Sequence, residues 1–305
     1  MIPPLDSIAD VLDATGDYRV LRRLGPFVPS AEAPTEPTFL GLIVDTETTG
    51  TDFATDEVIE LGMIKFTYGA SGRIYRVVET FNQLHEPRQP ISAEITRLTG
   101  ITHADVAGQR IDDAAVHAFV ADGAVVIAHN ASFDRQMCEP RWPIFIEKNW
   151  ACSCHQVPWQ AEGHEGLKLG YLLTDCGFFH KGHRAIDDCH ALLALLARPL
   201  KTSGRLAQAC LLETARRPTV RLWAKGSPIE TKDRLKARRY RWSGGRRCWY
   251  TDLEEDQVEA ERAFLSQEIY RRPVADLSIE RFTARDRFSI RTNPDAAQDR
   301  GSPSA

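Results

Sequence analysis

The chain of 305 residues has no long hydrophobic run. No stretch approaches the roughly 20 apolar residues that a helix needs to cross a bilayer, so no membrane association is expected. The N-terminus, Met1-Ile-Pro-Pro-Leu-Asp6, has no basic segment followed by an apolar one, which argues against a secretory signal. These absences predict a cytoplasmic protein.

The sequence also lacks a disulfide framework. Its seven cysteines are an odd number scattered along the chain, which favours a reducing compartment. Cys152-Ser-Cys154-His155 contains zinc-ligand residue types, and Cys176 or His180 would have to complete the set. Because structural zinc sites usually contain a C-x2–4-C pair in each half, and no second pair is present, zinc is not expected.

Net charge is small, −4 over the whole chain, but it is unevenly distributed. Residues 205–290 contain 19 Lys and Arg against 13 Asp and Glu, so the remainder is strongly acidic. A basic part suits binding to a polyanion, and an acidic part suits binding to a metal.

Composition shifts divide the chain into four predicted segments. Strands predicted at 39–45, 57–68 and 73–84 follow one another as in hairpins, and strands then alternate with helices. This order predicts an α/β domain with a mixed central sheet flanked by helices. The segments are an N-terminal segment with a Pro-rich linker (1–37), the α/β domain (38–200), a small basic α+β accessory domain (205–290) and a disordered tail (291–305).

The first chemical motif is Phe39-Leu-Gly-Leu-Ile-Val-Asp45-Thr-Glu47-Thr-Thr-Gly50. An apolar run ends there in two carboxylates that flank one threonine. Residues i and i+2 of a strand point to the same side, so Asp45 and Glu47 present their oxygens together. Such a pair suits a hard divalent cation better than a protein core.

The second motif follows a predicted buried strand at 124–128. The strand leads to His129 and Asn130, and the next helix carries Asp134 in its first turn. Functional sites of α/β sheets form at such carboxyl ends. A structural role is the alternative, with Asn130 capping the helix and Asp134 complementing its dipole. This motif alone leaves both interpretations open.

The third motif is Gly182-His183-Arg-Ala-Ile-Asp187-Asp188 at the start of a leucine-rich helix. The helical face of Asp188 carries only leucines at positions 192, 195 and 196, so Asp188 faces the core and Asp187 is turned away. An inward carboxylate needs a partner, and a metal ion fits that need. His183 precedes the helix and is free to reach a substrate.

Together the segments resemble the motifs of the DEDD (DnaQ-like) 3′–5′ exonuclease superfamily. The patterns Asp-x-Glu-Thr-Thr-Gly, His-Asn-Ala-x-Phe-Asp and His-x4-Asp occur in order at 45–50, 129–134 and 183–188. The histidine five residues before Asp188 indicates the DEDDh subgroup. Leu98-Thr-Gly-Ile-Thr102 also resembles the proofreading epsilon subunit of bacterial DNA polymerase III. The resemblance covers 39–198 and implies a ribonuclease H-like exonuclease fold.

The resemblance also implies a ligand set for two Mg²⁺ or Mn²⁺ ions. Asp45, Glu47 and Asp188 would hold the first ion. Asp45 would also contact the second, with help from Asp134 directly or through water. Carboxylate oxygens are the hard ligands that these ions prefer.

Further roles follow from the same resemblance. His183 would be the general base, since histidine titrates near neutral pH. Thr46 and Thr48 would line the terminal nucleotide, and Asn130 would orient the site.

The basic region offers candidate contacts to nucleic acid. Aromatic residues interleave with its cations, as at Trp242 and Trp249, and this combination suits single-stranded nucleic acid. A small aromatic core under a solvated basic face is the alternative. The candidate phosphate contacts are Lys232, Lys236, Arg239, Arg241 and Arg246.

These observations predict a metal-dependent 3′–5′ exonuclease that releases nucleoside 5′-monophosphates from single-stranded or frayed 3′ ends of DNA, in proofreading or repair. A DNA polymerase or another replisome component is a candidate partner. An RNA-trimming exonuclease of the same fold is one alternative. A non-catalytic nucleic-acid-binding or scaffold protein is another, although all five motif residues are intact.

Overall fold

A five-stranded mixed sheet forms the centre of the structure, a computed structural model that describes residues 4–30 and 32–295. The strands are β1 (Arg22–Arg23), β2 (Thr38–Thr48), β3 (Val58–Gly69), β4 (Ile74–Leu84), β5 (Val125–Ala128), β6 (Trp150–Cys152), β7 (Phe178–Phe179), β8 (Thr219–Ala224), β9 (Arg241–Ser243), β10 (Cys248–Glu254) and β11 (Ser278–Phe282). The α-helices are α1 (Leu5–Ala14), α2 (Ala93–Thr99), α3 (His103–Val106), α4 (Asp113–Val120), α5 (Ala131–Cys138), α6 (Ser153–Gln156), α7 (Leu169–Asp175), α8 (Ala185–Leu196), α9 (Ala207–Arg216), α10 (Lys232–Ala237) and α11 (Val258–Phe264). Short 3-10 helices lie at Pro143–Glu147, Ile229–Thr231, Glu255–Gln257 and Ile290–Thr292, and a π-helical turn lies at Leu265–Ile269.

The central sheet has the strand order β4-β3-β2-β5-β6. Strands β2, β3 and β4 pair antiparallel, as the predicted hairpins require. Strand β5 joins β2 in parallel, and β6 joins β5 in parallel. Parallel neighbours need crossover connections, which the helical segments between these strands supply. The predicted α/β class, with a mixed sheet between helices, is confirmed.

Side chains that alternate along β2 enter two hydrophobic cores, one on each face of the sheet. Ile43 belongs to the core that the leucines of α8 fill. Leu42 and Val44 belong to the other core, which contains side chains of α4 and β6. Because helices cover both faces, β2 is apolar on both sides until it reaches Asp45.

A second sheet, β11-β8-β10-β9, is antiparallel throughout. One of its faces packs against α10, α11 and the π-helical turn, and Leu222, Leu235, Tyr240 and Leu265 are buried between them. An antiparallel sheet with helices on one face is an α+β arrangement.

Helix α9 does not belong to this second hydrophobic core. Its residues Ala207, Leu211 and Ala215 are buried in the core shared with α8. The predicted accessory domain began at residue 205, and that boundary places α9 in the wrong unit. The apolar face of α9 covers the central sheet, so the second fold starts at β8.

Residues 283–295, which we call the C-terminal strap, return from β11 to the central domain. Backbone pairing begins where the amide of Trp150 donates to the carbonyl of Ala284 at 2.8 Å. Arg135 of α5 is completely buried and donates to the carbonyls of Arg285 and Arg287, each at 2.7 Å. The strap therefore packs on the helix that follows the second motif.

The predicted disordered tail at 291–305 is wrong at its beginning. Residues Ile290–Thr292 form a 3-10 helix. The carboxylate of Asp295 accepts hydrogen bonds from the Ser243 hydroxyl at 2.8 Å and from the Gly245 amide at 2.9 Å. Residues 296–305 lie outside the described part of the chain.

The N-terminal segment also packs on the central domain. Strand β1 pairs in parallel with β7, just before the third motif. The linker that follows is held by Glu36, whose carboxylate accepts from the Ser71 amide at 2.7 Å. Across residues 4–30 and 32–295, no helix has the length and apolar character that crossing a membrane requires.

Candidate active site

Three of the predicted carboxylates meet at one edge of the central sheet. Oxygens of Asp45 and Glu47, from the end of β2, and of Asp188, from the first turn of α8, all lie within 4.8 Å of one another. The two-residue step along β2 aims its two carboxylates at the same place. Because α8 packs across β2 and β3, Asp188 reaches the same point.

Burial and mutual repulsion raise the pKa values of two carboxylates in this cluster, and a bound cation would relieve that repulsion. Burial, followed by the charges of Asp134 and Asp188, raises the pKa of Asp45 well above its ordinary value. Burial and the charge of Asp188 raise the pKa of Glu47 to about 8. Carboxylates that repel one another in this way are stabilised by a divalent ion, and their hard oxygens suit Mg²⁺ or Mn²⁺. The residues therefore fit the predicted metal.

Asp134 lies beside the cluster and is held by the first motif. Its Oδ1 accepts from the Thr46 amide and from the Thr46 hydroxyl, both at 3.0 Å. Burial raises the pKa of Asp134 in spite of these hydrogen bonds. Asp134 is outside the group of three whose oxygens converge. The predicted role in a second metal site stays a prediction.

The threonines and Asn130 have local partners. Thr46 is buried and uses its hydroxyl on Asp134, while Thr48 donates to the carbonyl of Gly50 at 2.5 Å. Asn130 occupies the N-cap position of α5 without capping it through its side chain, and accepts from the Ser132 hydroxyl at 2.9 Å. Their predicted contacts with a nucleotide therefore stay predictions.

His183 stands exposed immediately before α8. Its φ of 63° lies in the left-handed region, which costs a non-glycine residue roughly 1–2 kcal/mol. Strain of this kind is often kept at functional sites, where the surrounding fold imposes it. His183 precedes Asp188 by five residues in the same loop and helix start, and its predicted role as the general base stays a prediction.

His180, which the sequence offered only as a possible zinc ligand, lies beside the carboxylate cluster. Its Nε2 lies 2.7 Å from Oδ1 of Asp188, and its side chain is about nine-tenths buried. The other oxygen of Asp188 accepts from the Arg184 amide at 3.2 Å. Both oxygens of this carboxylate are therefore oriented by its own loop and helix start.

Glu60 is the second residue that sequence reasoning missed. It lies opposite Glu47 in the β2–β3 register and is fully buried. Its carboxylate accepts from the Arg184 guanidinium at 2.8 Å and from the Ala185 amide at 3.1 Å. Gly62 permits this approach, because a Cβ there would lie 2.5 Å from the backbone of Ala185. Glu60 is the single acidic residue in the apolar sequence of β3, and that isolated position could have indicated a functional role.

The predicted phosphate contacts of the second sheet divide into two groups. Arg241 pairs with Asp252 at 2.7 Å, and Arg246 pairs with Glu280. The other three are exposed: Lys232, Lys236 and Arg239. Trp242 is half exposed and contacts Trp249 edge-on, with 5.4 Å between ring centroids. Only part of the aromatic set is therefore core.

A zinc site is not formed in the described residues. The one group of metal-ligating side chains found there is the carboxylate cluster. Cys152 is buried and its thiol lies 3.9 Å from the carbonyl of His129, while His129 itself contacts Ser153 and Leu167. All seven cysteines are free thiols, and five of them are buried: Cys138, Cys152, Cys189, Cys210 and Cys248.

Comparison with known proteins gives one family. A family model described as an exonuclease, of the RNase T type, matches residues 42–196. Exodeoxyribonuclease 10 of Escherichia coli is 30% identical over 174 residues, which cover 54% of this chain and 71% of that protein. The matched region contains all three motifs.

Part of the chain also matches much larger proteins. A PolC-type DNA polymerase III of Caldanaerobacter subterraneus is 38% identical over 106 residues, which are 34% of this chain. The chain spans only about 7% of that polymerase.

A solved structure, exonuclease X with 5′ overhanging duplex DNA, is 26% identical with a TM-score of 0.43. The match covers 57% of this chain and 98% of that one.

Proposed function

Because this chain belongs to the DnaQ-like 3′–5′ exonuclease family, we propose that it is a metal-dependent 3′–5′ exonuclease. Its substrate is DNA with a single-stranded or frayed 3′ end, and its products are nucleoside 5′-monophosphates. The observation that carries the proposal is the convergence of Asp45, Glu47 and Asp188 within 4.8 Å. Free thiols favour action in the cytoplasm.

The proposed reaction breaks the bond between phosphorus and the 3′ oxygen of the preceding nucleotide. Asp45, Glu47, Asp188 and Asp134 would hold two Mg²⁺ or Mn²⁺ ions, which supply water activation and neutralise phosphate charge. His183 takes the proton from the attacking water at a ring nitrogen. The freed 3′ oxygen takes a proton from solvent and becomes a hydroxyl, and the terminal nucleotide leaves as its 5′-monophosphate.

The remaining residues position this chemistry. The contacts of Thr46 fix the rotamer of Asp134 against β2. The Glu60–Arg184 pair fixes the start of α8, and with it the loop that carries His183. Small displacements of such groups slow a reaction strongly, because catalysis requires near-attack geometry.

DNA is favoured over RNA by the relatives. The Escherichia coli relative, of which the chain spans 71%, is named an exodeoxyribonuclease. The PolC-type matches favour work beside a DNA polymerase, although the chain spans about 7% of the first of them. RNA trimming by the same site is the second candidate, since a set of metal-binding carboxylates does not by itself distinguish ribose from deoxyribose.

The test is digestion of 5′-labelled single-stranded DNA and RNA with Mg²⁺, with and without chelator. We expect a ladder of shortened DNA that Asp45→Ala and His183→Ala both abolish. Glu94→Ala, which removes an exposed acid of α2, is the matched control and should digest as the wild type does. Equal digestion by wild type and Asp45→Ala would refute the proposal that this chain is an exonuclease whose carboxylate cluster is the active site. Shortening of RNA alone would establish the alternative substrate.

A non-catalytic nucleic-acid-binding protein is the alternative from another class. The intact carboxylate cluster argues against it, because unpaired buried carboxylates cost stability unless they serve a cation. Binding of labelled DNA without any digestion, at every Mg²⁺ and Mn²⁺ concentration, would favour that protein instead.

A further inference from the structure

The N-terminal segment, which lies outside the family region, is bound to the loop before the third motif. The Arg22 amide donates to the carbonyl of Gly177 at 3.0 Å, and the Leu24 amide donates to that of Phe179 at 2.8 Å. This pairing places β1 alongside β7. Residues 22–26 therefore lie next to the segment that carries His180.

Successive side chains of β1 point to opposite sides, as strand geometry requires. Arg22 pairs with the aspartates of α1, at 2.7 Å from Asp10 and 3.3 Å from Asp6. Arg23 is exposed, and its guanidinium lies 5.5 Å from the ring centroid of Phe179. Arg22 thus holds the segment on α1, and Arg23 extends over the ring of Phe179, three residues before the third motif.

A cavity of about 270 Å³ opens between these two segments. On one side it is lined by Arg23 and the residues up to Pro26, and on the other by His180, Lys181, Asp187 and His190. His180 links the cavity to the active site, because its Nε2 lies 2.7 Å from Asp188. The side chain of His180 therefore lies between the cavity and the carboxylate cluster.

The charge of the cavity suits an anion. Arg23 and Lys181 contribute two permanent cations, and Asp187 contributes the one carboxylate of the lining. Arginine and lysine together are the residues that bind a phosphate group.

We propose that this cavity is a subsite for a phosphodiester of the substrate strand, on the 5′ side of the bond that is cut. The proposal rests on the proposed function. An unmodified 3′ end carries no phosphate beyond the scissile one, so any further phosphate of the strand must lie on its 5′ side. The N-terminal segment thereby supplies a strand contact that the catalytic motifs lack.

A phosphate could also come from the released nucleoside 5′-monophosphate. The two sources differ in what they change. A strand subsite strengthens binding of longer substrates, whereas a product subsite strengthens inhibition by the monophosphate. The length of the substrate therefore distinguishes them.

The test compares a thymidine dinucleotide, whose single phosphate is the scissile one, with an eight-nucleotide thymidine strand. The measured quantity is the ratio of kcat/KM for the long strand to that for the dinucleotide. In the double variant Arg23→Ala, Lys181→Ala we expect this ratio to fall about tenfold, as for the loss of one charge-assisted contact. The slope of log KM against log salt should also become shallower, by about 0.7 for each lost contact.

Arg76→Ala is the matched control, because it removes one exposed cation from β4, away from the cavity. It should keep the wild-type ratio. If the double variant keeps the wild-type ratio of kcat/KM values, the strand subsite is wrong. If inhibition by thymidine 5′-monophosphate also becomes weaker in that variant, the cavity binds the product and not the strand. Failure of the wild type to cut either substrate would instead refute the proposed function.

Discussion

Replacing Arg135 by methionine is expected to destabilise the protein strongly, although Arg135 contacts no substrate. Its guanidinium is completely buried, and it pairs with the nearly buried Glu139 at 2.6 Å. It also donates to the carbonyls of Arg285 and Arg287 in the C-terminal strap. The substitution would leave the Glu139 carboxylate to the Ser289 hydroxyl and to the half-exposed Arg291 guanidinium, at 3.4 Å. It would also remove a donor from one buried and one half-buried carbonyl.

The magnitude follows from the burial. Removing one partner of a buried ion pair costs about 3–5 kcal/mol, because the other charge stays desolvated. With an unfolding entropy of about 2.1 cal/mol/K for each of the 305 residues, a loss of about 4 kcal/mol lowers Tm by about 6 °C. Thermal unfolding followed by circular dichroism, in the presence of chelator, measures this shift.

Two further variants make the prediction specific. Arg285→Ala removes an exposed arginine of the same strap and should change Tm by less than about 1 °C. Adding Glu139→Leu to the methionine variant should restore part of the lost stability, because it removes the nearly buried carboxylate that has lost its closest cation. If the methionine variant unfolds at the temperature of Arg285→Ala, the buried pair does not hold the strap and the reasoning is wrong.

Three other predictions concern the catalytic region. Because the pKa of Glu47 is raised to about 8 from its ordinary 4.5, the folded state holds its proton more tightly, so metal-free stability should fall as pH rises from about 4.5 to 8. A flat Tm profile in chelator would contradict this. Asp45→Asn should raise Tm in chelator by removing repulsion, and should abolish the further rise that Mg²⁺ gives the wild type. A lower Tm in chelator would count against the repulsion. Glu60→Gln weakens the hold on Arg184, and we expect kcat to fall about tenfold with KM unchanged. A change in KM alone would instead place Glu60 in substrate binding.

The sequence was informative about the site because its motifs are local. The i, i+2 rule of a strand was enough to align Asp45 with Glu47. The leucine phase of α8 was enough to direct Asp188, and not Asp187, toward them. The structure brings these three carboxylates together. Side chains that are fixed within one element can be placed by its periodicity alone.

Residues whose roles depend on contacts between distant segments were missed or misplaced. His180 was considered only as a possible zinc ligand, yet it contacts Asp188. Helix α9 was assigned to the accessory domain, yet it is buried in the first core. The periodicity of a segment predicts which of its faces is buried, but it does not predict which distant segment packs against that face.

The sequence by itself determined the α/β class, the mixed sheet and the three motifs whose carboxylates form the cluster, because each depends on short-range patterns of polarity. Tertiary structure alone decided that Glu60 fixes the start of α8, that the C-terminal strap packs on Arg135, and that β1 lies against the third motif. Those contacts join residues more than 120 positions apart in the chain. They form only where chain folding brings matching donors, acceptors and apolar surfaces together, which no local pattern encodes.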